Sequence, residues 1–217
     1  MLKFFISSTF RDMMRERDML RNNVFPVLNQ DAHTFGETIS FCDLRWGVDT
    51  KDLDEYESSK HVIQTCLNEI DKSQYMIVFL GSRYDWMPKE EYIKEAANNR
   101  NLNLEDYNIS VTALEIYYGS LKSYESLAHT IFYFRLPSSE EMLEDIVAQN
   151  KLENLKSKII ALSQNRVCFY RVTSNNGSIE MVTEDGIPLA ERIISDAQSL
   201  YVTPCWRRPS HARPAAR

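Results

Sequence analysis

Three short segments of the sequence combine arginine, aromatic and hydroxyl side chains, which are residue types that bind phosphates and flat rings. The segments are residues 7–11 (SSTFR), 43–47 (DLRWG) and 81–86 (GSRYDW). A guanidinium matches two phosphate oxygens at once, and Trp or Tyr rings stack on a nucleobase or a nicotinamide ring. The chemistry that these segments would perform together is the binding of a dinucleotide. The candidate binding residues are Ser7, Ser8, Thr9, Phe10, Arg11, Arg45, Trp46, Gly81, Arg83, Tyr84 and Trp86.

Glu115 is the candidate catalytic residue, and two interpretations of it compete. Thr112 and Glu115 have the spacing of a capping box, in which the glutamate only satisfies a backbone N–H group. Alternatively, its carboxylate points into the same crevice, where it holds ribose hydroxyls and stabilises an oxocarbenium-like transition state. From the residues alone, the capping role is favoured.

Structural roles also compete for the other candidate residues. Residues 7–9 would cap any helix that follows them, and Trp46 and Trp86 would also suit packing at a rim. The three loop arginines could form ion pairs with nearby acids, which would leave no charge for a ligand. The nearest acids are Asp12, Asp43 and Asp85.

Hydrophobic patterning predicts alternating strands and helices that would position these residues. The predicted strands are 2–7, 38–44, 75–80, 129–134 and 167–172, with 179–182 as a small edge strand. The predicted helices are about 10–29, 62–70, 110–121, one that opens at Ser138 with a capping-box pattern, and 188–200. Residues 87–109 form an insert, predicted as a short helix and a mobile loop.

The fold class expected from this alternation is α/β, with a flavodoxin-like, doubly wound parallel sheet of about five strands. The expected strand order is 2-1-3-4-5, with helices on both faces. In such a sheet the ligand crevice opens at the carboxyl ends of the strands, beside the switch point between strands 1 and 3. All three candidate segments follow strands 1, 2 and 3 directly, so we expect them to meet there.

Composition favours one globular domain over residues 1–206, followed by a basic tail at 207–217 that is either a linker or a vector-derived extension. The 217 residues are 43% hydrophobic and 26% charged, as in ordinary globular proteins. The formal net charge is −6, and subtracting the four arginines of the acid-free tail leaves −10 for residues 1–206. That charge argues against nucleic-acid binding. The longest apolar run, 76–80, is too short to cross a membrane, so we expect a cytoplasmic protein without membrane contact.

Several familiar sites are absent from the sequence. The four cysteines are scattered without a Cys-x-x-Cys pair, and the four histidines lack ligand spacing, so no metal site is predicted. The sequence has no G-x-x-x-x-G-K-[ST], G-x-G-x-x-G or H-E-x-x-H motif. This argues against ATP hydrolysis by this chain.

Four ordered motifs resemble the uncharacterised domain that begins many bacterial STAND-type NTPases, and that also occurs in animal telomerase-associated and NACHT/WD-repeat proteins. The motifs are residues 5–18, 43–48, 80–84 and 110–115, within a match that spans roughly residues 2 to 135. That domain is distantly similar to the TIR fold, whose strand-1 Phe-Ile-Ser and strand-3 glutamate resemble residues 5–7 and Glu115. In TIR enzymes an aromatic residue lies a few positions from the glutamate, whereas here the insert separates Trp86 from Glu115.

The resemblance implies a TIR-like effector or signalling domain that is normally fused to an NTPase module and to sensor repeats, and that self-associates on activation. Its leading expected function is to bind an NAD-type nucleotide and, once clustered, to hydrolyse the nicotinamide–ribose bond as an antiviral or cell-suicide effector. NAD would then be a substrate and not a permanently bound cofactor. Two alternatives stay open, namely a non-enzymatic homotypic interaction module and a sensor of a nucleotide signal without turnover.

Overall fold

Nearly continuous apolar segments form the strands at the centre of this computed structural model, which describes residues 1–9, 12–44, 54–138, 144–163, 166–175 and 178–202. Within those residues one six-stranded sheet has the order β2-β1-β3-β4-β5-β6. Strands β1 to β5 pair in parallel, and β6 runs antiparallel to β5. The strands are β1 (Leu2–Ser8), β2 (Ile39–Cys42), β3 (Tyr75–Leu80), β4 (Thr130–Arg135), β5 (Val167–Asn175) and β6 (Ser178–Thr183).

The α/β class is confirmed, but the predicted sheet needs correction. The described sheet has six strands instead of about five, and it is mixed instead of wholly parallel. Its order therefore differs from the predicted 2-1-3-4-5 by an antiparallel strand added at the β5 edge. β6 pairs with β5 over six residues, so it is a full member of the sheet.

The helices alternate with the strands along the chain. Two of them continue through π-helical turns, at Leu20–Val24 and Tyr117–Leu121. The helices are α1 (Met14–Met19), α2 (Phe25–His33), α3 (Glu55–Asp71), α4 (Glu90–Asn98), α5 (Val111–Ile116), α6 (Tyr124–Ala128), α7 (Ile146–Ser163) and α8 (Leu189–Val202).

Side chains that alternate along β3 divide between two hydrophobic cores, one on each face of the sheet. Met76, Val78 and Leu80 belong to the core that includes α3, α4, α5 and α7. Ile77 and Phe79 belong to the core that includes α1, α2 and α8. All six residues of β3 are buried, which explains why the strand is apolar at every position.

The π-helical turn at Leu20–Val24 changes which residues of the first helix face the sheet. The helical spacing of the sequence places Val27 on the apolar stripe, but Val27 is 44% exposed and Leu28 is fully buried. A π-helical turn holds more residues than an α-helical turn, so the stripe moves by one position after Val24. The helix also begins at Met14, later than the predicted start at residue 10.

The insert at 87–109 contains α4, as predicted, and it packs on the fold. Tyr92, Ile93 and Ala96 of α4 and Ile109 after it are buried in the core on the α3 side. The helix that was predicted to open at Ser138 instead begins at Ile146. Its first N–H groups, at residues 147 and 148, donate to the Asp145 carboxylate over 2.9 and 3.0 Å, and residues 139–143 lie outside the described part.

Candidate active site at the carboxyl edge of the sheet

The last two residues of β1 are serines whose side chains lie on opposite faces of the sheet, because successive side chains of a strand alternate. The Ser7 hydroxyl donates to Glu115 Oε2 over 2.6 Å. On the other face, the Ser8 hydroxyl and carbonyl accept from Arg17 Nε and Nη2, each over 2.8 Å. Ser7 and Ser8 are 0% and 2% exposed. The end of β1 therefore connects a carboxyl group on one face to a guanidinium on the other.

The interpretation of residues 7–9 as helix caps was wrong. The N-cap position of α1 is Met13, which offers no side-chain hydrogen bond. The Thr9 hydroxyl donates to the Asp12 carboxylate instead. These hydroxyl groups are occupied within the loop and with neighbouring elements, and none caps α1.

Glu115 does not form a capping box either. The N-cap of α5 is Ser110, whose hydroxyl accepts from the Ala113 N–H over 3.1 Å. Glu115 lies one turn further along, is 6% exposed, and reaches across to β1. Its carboxyl group is therefore positioned by the sheet and not by its own helix end.

Burial raises the pKa of Glu115, because desolvation disfavours the charged carboxylate. Hydrogen bonds from Ser7 and from the Cys66 thiol, and the charge of Arg17, act in the opposite direction, while Asp85 adds to the rise. The pKa of Cys66 is raised well above its usual value by burial and by the neighbouring Glu115. A buried carboxyl group that holds its proton more tightly than a free glutamate is typical of functional sites.

Arg17 provides the buried cation next to this acid. Besides Ser8, its Nη1 donates to the carboxylate of Asp43, the residue that follows β2. The side chains of Arg17 and Asp43 are 2% and 6% exposed. A buried ion pair of this kind links β2 and α1 around the end of β1.

A second buried network, centred on Arg135 at the end of β4, holds the loop after β1. Arg135 donates to the Asp12 carboxylate over 3.1 Å and to Glu16 Oε1 over 3.0 Å. The Tyr170 hydroxyl also donates to Glu16 Oε1, over 2.8 Å. Gly81 lies against this network, and a Cβ there would be 2.8 Å from Asp12 Oδ2. A side chain at that position would require the side-chain ends of Met13, Asp12 and Arg135 to shift.

The loop after β3 is anchored by Glu144, which precedes α7. Arg83 Nη2 lies 3.1 Å from Glu144 Oε1, and Oε2 accepts from the Tyr84 N–H over 2.6 Å. Asp85 then adopts a left-handed conformation with φ of 67°, which is uncommon for a residue with a side chain. Arg83 thus pairs with an acid 61 positions away in the sequence, and not with the neighbouring Asp85.

The anchored loop brings Trp86 to the start of α5 despite the intervening insert. The Trp86 carbonyl accepts from the Val111 N–H over 3.2 Å, four residues before Glu115. The Trp86 side chain is 44% exposed, whereas Tyr84 is 4% exposed and belongs to the core. Burial raises the pKa of Tyr84 to about 12. Of the two rings, Trp86 is the one that is accessible to a ligand.

The structure thus brings together Ser7 with Glu115, Gly81 with the Arg135 network, and Trp86 with the start of α5. It places Arg83 in an ion pair and Tyr84 in the core. Four further residues of this site, Arg17, Glu16, Arg135 and Glu144, were not predicted from the sequence. The remaining predicted residues, Phe10, Arg11, Arg45 and Trp46, lie outside the described residues.

Two signals in the sequence point to some of the missed residues. Glu16 and Arg17 stand three and four positions after Met13, which places charges on the apolar stripe of the helix. Arg135 is the last residue of an apolar strand, so it lies at the same carboxyl edge of the sheet as the candidate residues that follow strands 1 to 3. Glu144 has no comparable local signal.

Comparison with known protein families identifies the domain. A family described as "Domain of unknown function (DUF4062)" matches residues 3–180. The chain belongs to this family. It is similar to parts of much longer proteins, and the resemblance to telomerase-associated proteins noted from the sequence agrees with this result.

Three curated relatives illustrate the extent of the similarity. Telomerase protein component 1 of Rattus norvegicus is 30% identical over 147 residues, which cover 67% of this chain and 5% of that protein. The Mus musculus protein of the same name is 33% identical over 140 residues, which cover 63% of this chain and 5% of that protein. A TPR repeat-containing protein of Dictyostelium discoideum is 29% identical over 180 residues, covering 73% and 10%. The DUF4062 chain thus spans only 5–10% of the length of these relatives.

No solved structure matches the chain. Among the described residues, none of the helices has the length and apolar character needed to cross a membrane.

Proposed function

We propose that this DUF4062 domain is a TIR-like effector or signalling domain that binds an NAD-type dinucleotide at the carboxyl edge of its sheet. When its parent protein clusters it, the domain hydrolyses the nicotinamide–ribose bond. The observation that carries the proposal is the environment of the Glu115 carboxyl group. Glu115 is 6% exposed, its carboxyl group accepts a hydrogen bond from Ser7, and burial raises its pKa. A buried carboxyl group perturbed in this way marks a candidate functional site.

The position of Glu115 in the fold supports this proposal. A flavodoxin-like sheet changes winding direction between strands β1 and β3, and ligands bind outside the carboxyl ends of the strands at that point. Ser7 lies near the carboxyl end of β1, where it pairs in register with Val78 of β3. The Ser7–Glu115 hydrogen bond therefore lies at the predicted switch point.

The proposed reaction assigns specific tasks to the residues of this site. Ionised Glu115 would accept hydrogen bonds from the ribose hydroxyls and stabilise the positive charge that develops on the ring. The bond between C1′ and the nicotinamide nitrogen breaks, and its electron pair stays on nicotinamide, which leaves as a neutral molecule. Water adds to C1′ and releases a proton to the solvent. Trp86, being half-exposed beside α5, is placed to stack on a flat ring.

We further propose that the rest of the parent protein supplies the clustering, in the cytoplasm. The relatives are named as a telomerase component and a TPR repeat-containing protein, and the domain is a small part of each. A STAND-type NTPase module and sensor repeats in the parent chain would bring several copies of this domain together. Self-association would then switch the activity on.

The experiment that tests the proposal is an assay of nicotinamide release from NAD by the artificially clustered domain. Glu115→Gln keeps the size of the side chain but removes its charge and replaces one acceptor oxygen with an NH2 donor. We expect this variant to be slower by about 10²–10³-fold, which is the usual effect of losing one group that stabilises a transition-state charge. Glu180→Gln, an exposed acid on β6, is the matched control. Absence of nicotinamide release from the clustered wild type would refute the catalytic proposal.

A homotypic interaction module is the second candidate, and the pairing of the polar groups favours it. Glu115 pairs with Ser7, Arg17 with Asp43, and Arg83 with Glu144, so much of the charge at this edge is engaged within the domain. Thermal unfolding separates the two functions, because a ligand that binds only the folded state raises the melting temperature. An unchanged melting temperature with NAD, ADP-ribose and cyclic ADP-ribose would favour the interaction module. A rise without turnover would favour a nucleotide sensor.

A further inference from the structure

A cavity lies at the amino edge of the sheet, opposite the Glu115 site. This cavity of about 750 Å³ opens where β1, β3 and β4 begin, at Leu2, Tyr75 and Thr130. Its volume falls within the roughly 300–1,000 Å³ of small-molecule sites. Since each strand residue advances about 3.3 Å, the six residues of β3 separate the two edges by about 15–20 Å. We propose that this amino-edge cavity binds a flat aromatic cation, such as an aryl ammonium compound.

Aromatic rings line the amino-edge cavity. Phe35 and Tyr201 lie on the α2 and α8 side, with ring centroids 5.9 Å apart. Tyr75 and His129 lie at the starts of β3 and β4, and their rings meet edge to face at 5.6 Å. The faces of such rings attract cations within about 6 Å and also stack on flat ligands. The walls therefore suit a ligand that is both flat and positively charged.

The charged groups of the lining also favour a cation over an anion. The lining holds three carboxylates, Glu37, Asp71 and Glu125, and one ammonium group, that of Lys122. Glu37 pairs with the terminal amine of Met1 at 2.7 Å. Lys122 Nζ lies 4.0 Å from the centre of the Tyr118 ring, which is not part of the lining.

Glu125 is the carboxylate that a bound cation would meet. It stands in the first turn of α6, and in the part of the chain that the structure describes its carboxylate forms no ion pair. Asp71, by contrast, accepts a hydrogen bond from Tyr118 and lies 3.6 Å from Arg100 Nε.

A glycine in a π-helical turn shapes one wall of the amino-edge cavity. Gly119 lies in the middle of the turn Tyr117–Leu121, and a Cβ there would be 2.8 Å from Met76 Sδ and 3.1 Å from Ile70 Cγ2. The glycine thus lets the turn approach two apolar residues of the cavity closely. π-Helical turns occur frequently at functional sites, so the local backbone is a second, independent sign of a binding site.

The test uses the full chain labelled with ¹³C at the methionine methyl groups, because Met76 lines the cavity. Its signal is assigned by loss in Met76→Leu. Phenyltrimethylammonium is the probe, with tert-butylbenzene as its neutral isostere and benzoate as an anion. We expect a saturable shift of the Met76 methyl signal with the cation, a weaker response to the neutral compound, and none with benzoate.

Two substitutions at exposed residues of the cavity wall, with two control substitutions, test whether the methyl shift reports binding in this cavity. Glu125→Gln should weaken the affinity for phenyltrimethylammonium about three-fold, and Phe35→Leu should weaken it to a similar extent. Glu153→Gln, an exposed acid on α7, and Glu115→Gln, at the opposite edge, should leave it unchanged. The proposal is overturned if the shift does not saturate, if tert-butylbenzene binds as tightly as the cation, or if Glu125→Gln matches Glu153→Gln.

Discussion

The buried Arg17–Asp43 pair makes a quantitative prediction about what holds the carboxyl edge together. Arg17→Met preserves most of the side-chain volume but removes the guanidinium that donates to Ser8 and Asp43. Because the Asp43 side chain is 6% exposed, its charge would stay buried without this cation. Breaking a buried pair from one side costs about 3–5 kcal/mol. For a domain of this size, each kcal/mol lowers the melting temperature by about 2–4 °C, so the expected decrease is about 6–20 °C.

Urea denaturation monitored by circular dichroism measures the free energy of unfolding of the Arg17 variants. The double variant Arg17→Met/Asp43→Leu removes both charges and should recover at least about 2 kcal/mol of the loss. Arg171→Met is the control, because Arg171 is 67% exposed and lies 4.0 Å from Glu184, and it should change stability by less than about 0.5 kcal/mol. The reasoning is refuted if Arg17→Met loses less than about 1 kcal/mol, or if the double variant is no more stable than the single one.

Three further predictions concern stability. Gly81→Ala places a Cβ 2.6 Å from Met13 Cε and should lower the free energy of unfolding by about 1–3 kcal/mol; a urea titration that shows no loss would contradict this close approach. Burial raises the pKa of Glu115 above 4.5, so the folded state keeps a proton that the unfolded state has released, and stability should fall as the pH rises from about 4.5 through the raised pKa. Glu115→Gln should abolish that fall. If urea titrations at several pH values give the same pH dependence of the free energy of unfolding for both proteins, the raised pKa of Glu115 is contradicted. Hydrogen bonds from Lys3 and Lys72 lower the pKa of Glu69 to about 2, so its stabilising effect should be complete above pH 4.5 and disappear as the pH falls through about 2. Glu69→Gln should therefore be less stable than wild type at pH 7 and equal to it at the lowest pH, and an equal difference at both would disprove the assignment.

The central strands were predictable because they are buried on both faces. Tyr75–Leu80 was predicted as a strand and has the same bounds in the structure. A short apolar run between turn residues is typical of a strand that is buried on both faces. β6 was predicted only as a small edge strand over 179–182. It spans Ser178–Thr183, and its antiparallel pairing with β5 made the sheet larger and mixed.

The π-helical turn explains the error in the first helix. A constant helical period assigns Val27 to the core, whereas the turn at Leu20–Val24 moves Leu28 into that place. Sequence spacing carries little information about such a turn, because it arises where tertiary packing rewards one extra residue.

The partners of the site residues were predictable only where the fold determines them directly. Ser7 and Glu115 were both singled out, but their hydrogen bond depends on α5 crossing the end of β1. Arg83 was predicted to bind a ligand phosphate, with an ion pair to a nearby acid as the alternative, and its partner in the structure is Glu144, which precedes α7. An ion pair between such distant positions follows from the order of strands in the sheet, which local patterns do not specify.

The central claim is that an NAD-type dinucleotide binds beside Glu115, and a calorimetric titration with carba-NAD tests it most directly. This analogue has a methylene group in place of the ring oxygen of the nicotinamide ribose, so no oxocarbenium ion can form and binding is measured without turnover. The account predicts saturable binding to the wild-type domain, about ten-fold or more weaker binding to Glu115→Gln, and unchanged binding to Glu180→Gln. Absence of heat up to millimolar carba-NAD, or equal affinity of wild type and Glu115→Gln, would contradict it.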